Sequence, residues 1–136
     1  MMARASLMVF LLPVIVAASL WSAPAVPAAI PEVVPDKGLV VFYRPRRMTG
    51  AAITYSVDHA NGTLGILTNG GVLYKYFEPG HHTFYSQVLS GDTVIIEVAA
   101  GQVYFVQGLV KLGVAVGRPN FKRVDEQTGR AAVSAM

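Results

Sequence analysis

The chain has 136 residues, of which 53% are hydrophobic and 14% charged, and it contains no cysteine. Its length suits one domain, and its composition excludes a disordered chain and an acidic or basic tail. A formal net charge of +3 argues against the dense basic face that a general nucleic-acid-binding protein needs. Without cysteine the chain has neither disulfides nor a site for lipid attachment, so the folded domain depends on its core.

Residues 1–25 have the features of a secretory signal peptide. Arg4 provides a positive charge, an apolar stretch of fifteen residues follows at 7–21, and Ala23-Pro24-Ala25 provides a cleavage site, with a second site after Ala28. We therefore expect an exported protein, either periplasmic or extracellular.

An uncleaved inner-membrane anchor at residues 7–23 is the alternative. A spanning helix needs about 20 apolar residues, whereas the apolar stretch is shorter and contains Pro13. The chain nevertheless carries no charge from Ala5 to Pro31, so the anchor stays open as an alternative. Contact with a membrane is expected only if this segment remains uncleaved.

Residues 26–36, VPAAIPEVVPD, form a proline-rich linker before the folded domain at 37–136. Three prolines in eleven positions favour extended backbone, because proline fixes φ and lacks an N–H. From Gly38 onward apolar and polar residues alternate with period two, as in the run ITYSV at 53–57. The run LVVFY at 39–43 is apolar on both faces and is predicted to be a central strand.

Turn sequences separate the predicted strands at short intervals. They are Asn61-Gly62, Asn69-Gly70-Gly71, Glu78-Pro79-Gly80, Ser90-Gly91-Asp92 and Ala100-Gly101. This pattern predicts an all-β fold, a single antiparallel β-sandwich of about seven strands. One helical turn is predicted within residues 121–129, ending at Gly129, and the tail is expected to add an edge strand or to fray.

Aromatic residues cluster in the predicted strands, and they allow two interpretations. In residues 72–77, the side chains of Val72, Tyr74 and Tyr76 share one face, which we predict to be the core, with Lys75 on the opposite face. Aromatic residues packed inside a sandwich are the first interpretation, and an exposed platform that stacks on sugar rings is the second.

Several motifs follow one another in a fixed order along residues 37–130. They are GLVVFYRP (38–45), NG followed by G-x-L, NGG before an aromatic strand, EPGHHTF (78–84) and AAGQVYFV (99–106). In this order they resemble the bacterial domain-of-unknown-function family 2846, whose members are small secreted proteins and lipoproteins. The resemblance implies a compact exported β-domain with no known activity and no catalytic residues to transfer. The absence of a lipobox cysteine is a departure from the lipoproteins of that family.

Three arginines, Arg44, Arg46 and Arg47, flank Pro45 at the end of the first predicted strand. One interpretation makes them a binding site for an anion or a phosphate group, because guanidinium groups form bidentate pairs with such ligands. The alternative is structural. Arg44 would then form a salt bridge, cover the core rim or orient the loop through hydrogen bonds to carbonyls, and the other two would be solvated.

A second candidate site consists of Glu78, His81 and His82, which with His59 from another turn offer ligands for zinc or copper. Adjacent strand residues point to opposite faces, so His81 and His82 share a metal ion only if the turn distorts them. The alternative places one histidine at the rim of the sheet and leaves the other exposed. We therefore expect neither a resident metal nor another cofactor.

We assign no catalytic residues, because the chain lacks a G-x-S-x-G motif and its serines lack an Asp and His signature. We expect a non-catalytic binding or scaffolding domain of the bacterial cell envelope. Its partner would be an unknown envelope protein or glycan and not nucleic acid, bound through a sheet edge or the loop at 45–51. The alternatives are a metal-binding protein or enzyme using Glu78, His81 and His82, and a carbohydrate binder.

Overall fold

The computed structural model describes residues 30–86, 92–112 and 117–136. The predicted signal peptide, its cleavage sites and the alternative anchor at residues 7–23 lie outside the described residues, as do two residues of the turn at 90–92. Within the described ranges, no helix combines the length and the apolar character needed to cross a bilayer.

Eight strands and one helix make up the described part of the chain, which confirms the predicted all-β sandwich. In chain order they are β1 (Gly38–Tyr43), β2 (Tyr55–His59), β3 (Gly62–Leu67), β4 (Val72–Phe77), β5 (Gly80–Tyr85), β6 (Thr93–Val98), β7 (Val103–Leu112), β8 (Gly117–Val124) and α1 (Glu126–Ser134). They form two four-stranded sheets, a first with the strand order β4-β1-β7-β8 and a second with the order β3-β2-β5-β6.

The first sheet is mixed, whereas the sequence predicted purely antiparallel sheets. β1 pairs antiparallel with β4 but parallel with β7, whereas the pairs of the second sheet are all antiparallel. A parallel pair needs a long connection between its strands, and residues 44–102 form that connection here. Side chains alternate in both kinds of pair, so alternation in the sequence does not distinguish them.

β1 is buried on both faces, as predicted for residues 39–43. Val40 and Phe42 point into the core between the two sheets. The Phe42 ring makes edge-to-face contacts there, with centroid distances of 5.1 Å to Phe84 and 5.6 Å to Phe121. The strand therefore joins the two sheets through one core, and its other face needs a cover of its own.

Helix α1 covers the outer face of the first sheet. Leu39, Val41 and Tyr43 form a second apolar cluster on this face with Phe105 of β7 and Val133 of the helix. Every residue of β1 after Gly38 is apolar, and such a strand is stable only if both of its faces are shielded from water. The second sheet shields one face and helix α1 the other.

Part of the predicted linker also lies against this outer face. Ile30 packs on the second apolar cluster, and the carbonyl of Glu32 accepts a hydrogen bond from the Tyr76 hydroxyl (2.5 Å). Residues 30–34 have no regular secondary structure, so these side-chain contacts fix their position.

Helix α1 also corrects the prediction for the C-terminal part of the chain. Residues 121–124 belong to β8, and the helix continues through Gly129 instead of ending there. Asp125 caps the helix by accepting hydrogen bonds from the Thr128 N–H (3.0 Å) and hydroxyl (2.6 Å). Gly129 is buried against Phe105, and a Cβ built there would lie 2.2 Å from Phe105 Cγ. The glycine thus serves a close contact between helix and sheet, not a helix end.

The predicted orientation of β4 is wrong. Leu73 and Phe77 contact the core between the sheets, so the face of Val72, Tyr74 and Tyr76 is the outer one. Tyr74 is 50% exposed on that face. Apolar and aromatic residues stand on both faces of this strand, and for this reason the sequence did not reveal which face is buried.

Two of the predicted turns form corners of the sandwich. Asn69-Gly70-Gly71 leads from β3 to β4, and Glu78-Pro79-Gly80 leads from β4 to β5, so each takes the chain from one sheet to the other. Asn61-Gly62 does lie in the β2–β3 hairpin, as predicted.

Replacing Gly129 with alanine tests the close approach of α1 to the first sheet. At an exposed helix position this change stabilises by about 1 kcal/mol. Here the added methyl group meets the Phe105 ring, so we expect Gly129→Ala to destabilise the protein by about 1–3 kcal/mol. Urea unfolding followed by circular dichroism measures the difference.

The matched control is Ser134→Ala, at an exposed position of the same helix. It should leave the free energy of unfolding within about 0.5 kcal/mol of the parent value. A Gly129→Ala protein as stable as this control would show that the contact is not tight.

Candidate functional site

Arg44 follows the last residue of β1 and is buried, with 3% of its side chain exposed. Its guanidinium donates from Nη1 to the carbonyls of Ile53 and Leu67 (3.4 Å to Leu67) and from Nη2 to the Gly50 carbonyl (2.6 Å). The guanidinium carbon also lies 5.5 Å from the centre of the Tyr55 ring. Arg44 therefore ties the loop at 45–54, called the 45–54 loop below, to the end of β3.

These contacts match the structural interpretation in which Arg44 orients the loop through carbonyls. Among the described residues, neither of the ion pairs includes Arg44, so a salt bridge is not its role. A guanidinium suits the position because it has five N–H donors in a fixed plane and stays charged when buried. Three of these donors are used on backbone oxygens here.

The 45–54 loop has further internal and external support. The Ile53 N–H donates to the Gly50 carbonyl (3.0 Å), and Gly50 adopts φ 71°, a conformation that favours glycine. A Cβ at Gly50 would lie 3.1 Å from the Val110 side chain on β7. On the other side, the Arg47 N–H donates to Asn69 Oδ1 (2.9 Å). The loop thus has a defined shape although much of it is exposed.

A cavity of about 300 Å³ lies between the 45–54 loop and β7. It is lined by Arg44, by Pro45, Arg47 and Thr49 from the loop, and by Gly108, Leu109, Val110 and Lys111 from β7. We call this cavity the basic cleft, because Arg47 and Lys111 are exposed and none of these eight described residues is acidic. Thr49 and the exposed cations Arg47 and Lys111 are among the polar residues that line the cleft.

Arg46 lies on the other side of the loop from the basic cleft. It lines a separate groove of about 360 Å³, together with Gly70 and the C-terminal end of α1 at Ala132, Ala135 and Met136. The three arginines predicted as one site are therefore divided. Arg44 supports the loop from below, Arg47 faces the cleft and Arg46 faces the helix.

Tyr55 forms part of the support beneath the cleft. Its hydroxyl donates to the Leu109 carbonyl (3.3 Å), and Gly108 leaves room for this hydroxyl, since a Cβ there would lie 2.5 Å away. Burial raises the pKa of Tyr55 to about 12, although the positive charge of Arg44 opposes the shift. The phenol therefore remains a neutral donor at physiological pH.

The second predicted site is rearranged in the structure. The Glu78 carboxylate pairs with Lys37 (3.4 Å), His81 is exposed and paired in register with Glu97, and His82 turns inward. Glu78, His81 and His82 do not converge, and the described residues contain no group of three or more His, Asp or Glu placed to hold a metal ion.

His82 instead meets His59, which is only 8% exposed. His82 Nε2 lies 2.7 Å from the Glu78 carbonyl, which only accepts, so His82 has its proton on Nε2. His59 Nε2 then donates to His82 Nδ1 (2.9 Å), and His59 Nδ1 accepts the Asn61 N–H (3.4 Å). All four ring nitrogens have partners when both imidazoles are neutral.

This histidine pair is packed among aromatic rings at the end of the sandwich opposite the basic cleft. The His59 ring lies 5.0 Å from Phe77 and 5.2 Å from Phe84, measured between centroids. Burial lowers the pKa of His59 from its usual 6.5, and the positive charges of His82 and Lys75 lower it further. The geometry thus gives the pair a structural role as neutral groups.

The sequence did not reveal that Lys111 lies in the basic cleft, and it indicated His59 only as a possible metal ligand and not as the hydrogen-bond partner of His82. Lys111 reaches the basic cleft because β7 runs parallel to β1, with Gln107 opposite Tyr43. His59 reaches His82 because β2 pairs with β5, with His59 opposite Phe84. Both contacts depend on strand pairing over long sequence separations, for which the local sequence contains no signal.

Arg44→Lys tests the supporting role of the guanidinium. Lysine keeps the charge but cannot serve three carbonyls in one plane, so hydrogen bonds that hold the loop to the end of β3 are lost. We expect a loss of about 2–4 kcal/mol in the free energy of unfolding and faster amide exchange at Ile53. Arg47→Lys, at an exposed position, should change the free energy by less than about 0.5 kcal/mol. Equal stability of the two variants would contradict the role assigned to Arg44.

The neutral histidine pair predicts how stability depends on pH. Because the folded pKa of His59 is below the unfolded value of 6.5, its contribution is fully present above pH 6.5 and declines as the pH falls below it. Urea unfolding between about pH 7.5 and 5.5 covers this range, in which carboxylates stay ionised. His59→Phe should flatten the dependence, whereas His81→Gln, at an exposed position, should preserve it. A parent protein with constant stability over this range would refute the neutral pair.

Comparison with known proteins agrees with the motif order described above. Residues 35–132 match the family described as Protein of unknown function (DUF2846). No curated protein and no solved structure matches the chain. The matched segment contains all eight described strands, the 45–54 loop and most of α1. Since the match covers well over half of the sequence, the chain belongs to the DUF2846 family.

Proposed function

We propose that this protein is an exported, non-catalytic binding domain of the bacterial cell envelope. In this proposal the basic cleft binds an anionic group of the partner, such as a phosphate or a carboxylate on an envelope protein or glycan. The signal-peptide pattern at residues 1–25 supports export, and the balanced charge of the chain argues against nucleic acid as the partner.

The observation that supports the cleft as the binding site is its charge arrangement. Arg47 and Lys111 approach from two different elements, the loop and β7, and no acidic residue is among the described lining residues. A guanidinium and an ammonium on facing walls attract an anion from two sides. Arg44 supports this arrangement by fixing the loop, and we regard it as a positioning residue.

Two buried polar clusters away from the cleft support a binding role over a catalytic one. The buried carboxylate of Asp58 accepts from Ser56 Oγ (2.8 Å) and Thr63 Oγ1 (2.7 Å), so these groups satisfy one another. The histidine pair is satisfied in the same way, by the Glu78 carbonyl and the Asn61 N–H. A nucleophile next to a free base, which acyl or phosphoryl transfer needs, is not found among these described groups.

A titration with inorganic phosphate and with glycerol phosphate tests the cleft by amide chemical shifts of the ¹⁵N-labelled protein. We expect millimolar binding, with shifts concentrated at the 45–54 loop and at residues 108–111. The double variant Arg47→Gln, Lys111→Gln should lower the affinity about 10-fold or more, as expected for the loss of two charge-assisted contacts.

The charge-matched control is Lys75→Gln, Lys122→Gln, which removes two exposed lysines away from the cleft. It should bind phosphate like the parent protein. Shifts distributed evenly over the surface, or an equal loss in both double variants, would show attraction by net charge alone and would refute the cleft as a site.

A further inference from the structure

We infer that the 45–54 loop docks on the surface of an anionic lipid bilayer, with Met48 entering the interface and the basic cleft facing a lipid phosphate. This inference rests on the proposed anion site and names the source of the anion. The sequence predicted membrane contact only through residues 7–23, so a docking loop on the folded domain is a separate contact.

Met48 is the most exposed large apolar residue in the described part of the chain, at 97%. It lies between Arg47 and Thr49 in the exposed part of the 45–54 loop. The other strongly exposed apolar side chains, such as Ile66 and Ile95, lie on strands of the second sheet and not in this loop. A methionine exposed in this way has an unbranched, adaptable side chain that an apolar phase accommodates readily.

Cations are close to this methionine in the sequence of the loop and across the cleft beside it. Arg46 and Arg47 precede it directly, and Lys111 stands across the basic cleft. The described ion pairs join Lys37 to Glu78 and Arg130 to Glu126, so the cations near Met48 are not neutralised within the described protein. Basic residues beside an apolar tip match the interface of an anionic bilayer, where the charges meet phosphates and the apolar group meets the acyl region.

The loop is ready to dock without a large ordering step. The carbonyls of Gly50 and Ile53 are fixed by Arg44, and the Ala51 N–H donates to the Met48 carbonyl (3.2 Å). Fixing a loop in its bound shape beforehand reduces the entropy lost on binding. Met48 is thus presented to a partner by a loop whose backbone Arg44 already holds in place.

A bilayer fits these features better than a pocket in a partner protein. A protein hot spot needs a ring of surrounding contacts that excludes water, whereas the neighbours of Met48 in the loop are small or charged: Arg46, Arg47, Thr49, Ala51 and Ala52. A lipid surface needs no such ring, because it supplies the apolar phase itself. One apolar side chain with three cations gives weak, reversible and salt-sensitive docking.

Fluorescence labelling at a single cysteine tests the inference, since the full chain has no cysteine of its own. Met48→Cys with an environment-sensitive dye is mixed with vesicles of phosphatidylglycerol and phosphatidylethanolamine, or with vesicles of pure phosphatidylcholine. We expect a blue shift at residue 48 with the anionic vesicles alone, reversed by salt. The same dye at Thr83→Cys, on the exposed face of β5, should not respond.

Charge variants in the labelled Met48→Cys protein add a quantitative readout. Arg46→Gln and Arg47→Gln should each lower the partition onto anionic vesicles about five-fold, whereas Lys122→Gln should leave it unchanged. Because the dye reports on the loop, binding through residues 7–23 alone would leave the dye at residue 48 unchanged and is told apart from docking of the loop.

Three outcomes would overturn the inference. In the first, the dye at residue 48 does not respond to anionic vesicles although the cleft binds inorganic phosphate. The proposed anion site would then stand, but a lipid would not be its ligand. An equal response to phosphatidylcholine would show adsorption without recognition of charge. An equal response at Thr83 would show that the protein adsorbs without using the loop.

Discussion

The burial of β1 on both faces is the constraint on which the rest of the structure depends. Val40 and Phe42 fill the core between the sheets, and Leu39, Val41 and Tyr43 need the cover that α1 provides. Both β4 and β7 pair with this strand, so its position fixes the first sheet, and its end fixes where the 45–54 loop begins. A strand in this place has no solvent face on which to present a functional side chain. Function therefore has to be sought where the strand ends.

Arg44, which follows the end of β1, has a structural role although it is charged. Pro45 cannot donate to the sheet, and Arg44 donates from its guanidinium to three backbone carbonyls. A buried cation without a carboxylate is costly unless its hydrogen bonds are satisfied, and here backbone dipoles and the Tyr55 ring provide the compensation. The exposed cations nearby, Arg47 and Lys111, are thereby left free for a ligand. Arg44 has a structural role, and the loop that it holds gives the backbone of Arg47 a defined position.

The sequence was informative wherever structure is local. Alternation and turn residues predicted the sandwich, and the run at 39–43 predicted the central strand. The parallel β1–β7 pair could not be predicted, because it depends on contacts across about sixty residues of chain and leaves no periodic signal. The same limit hid the position of Lys111 in the cleft. The prediction at Gly129 failed for a different reason. Glycine often ends helices, but here it lies inside α1 and allows a tight contact with Phe105.

The two ends of the sandwich differ in whether their polar side chains are paired within the protein. Near the start of β1, where Phe77 pairs with Gly38, the imidazoles of His59 and His82 satisfy each other and the backbone, so an incoming metal or substrate would first have to break internal hydrogen bonds. At the far end, the cations of the loop and of β7 face open space without acidic partners among the described residues. Binding from water favours the second situation, because a ligand there replaces only solvent and loses little to rearrangement. The basic end is accordingly the one that an external anion can use without disturbing the fold.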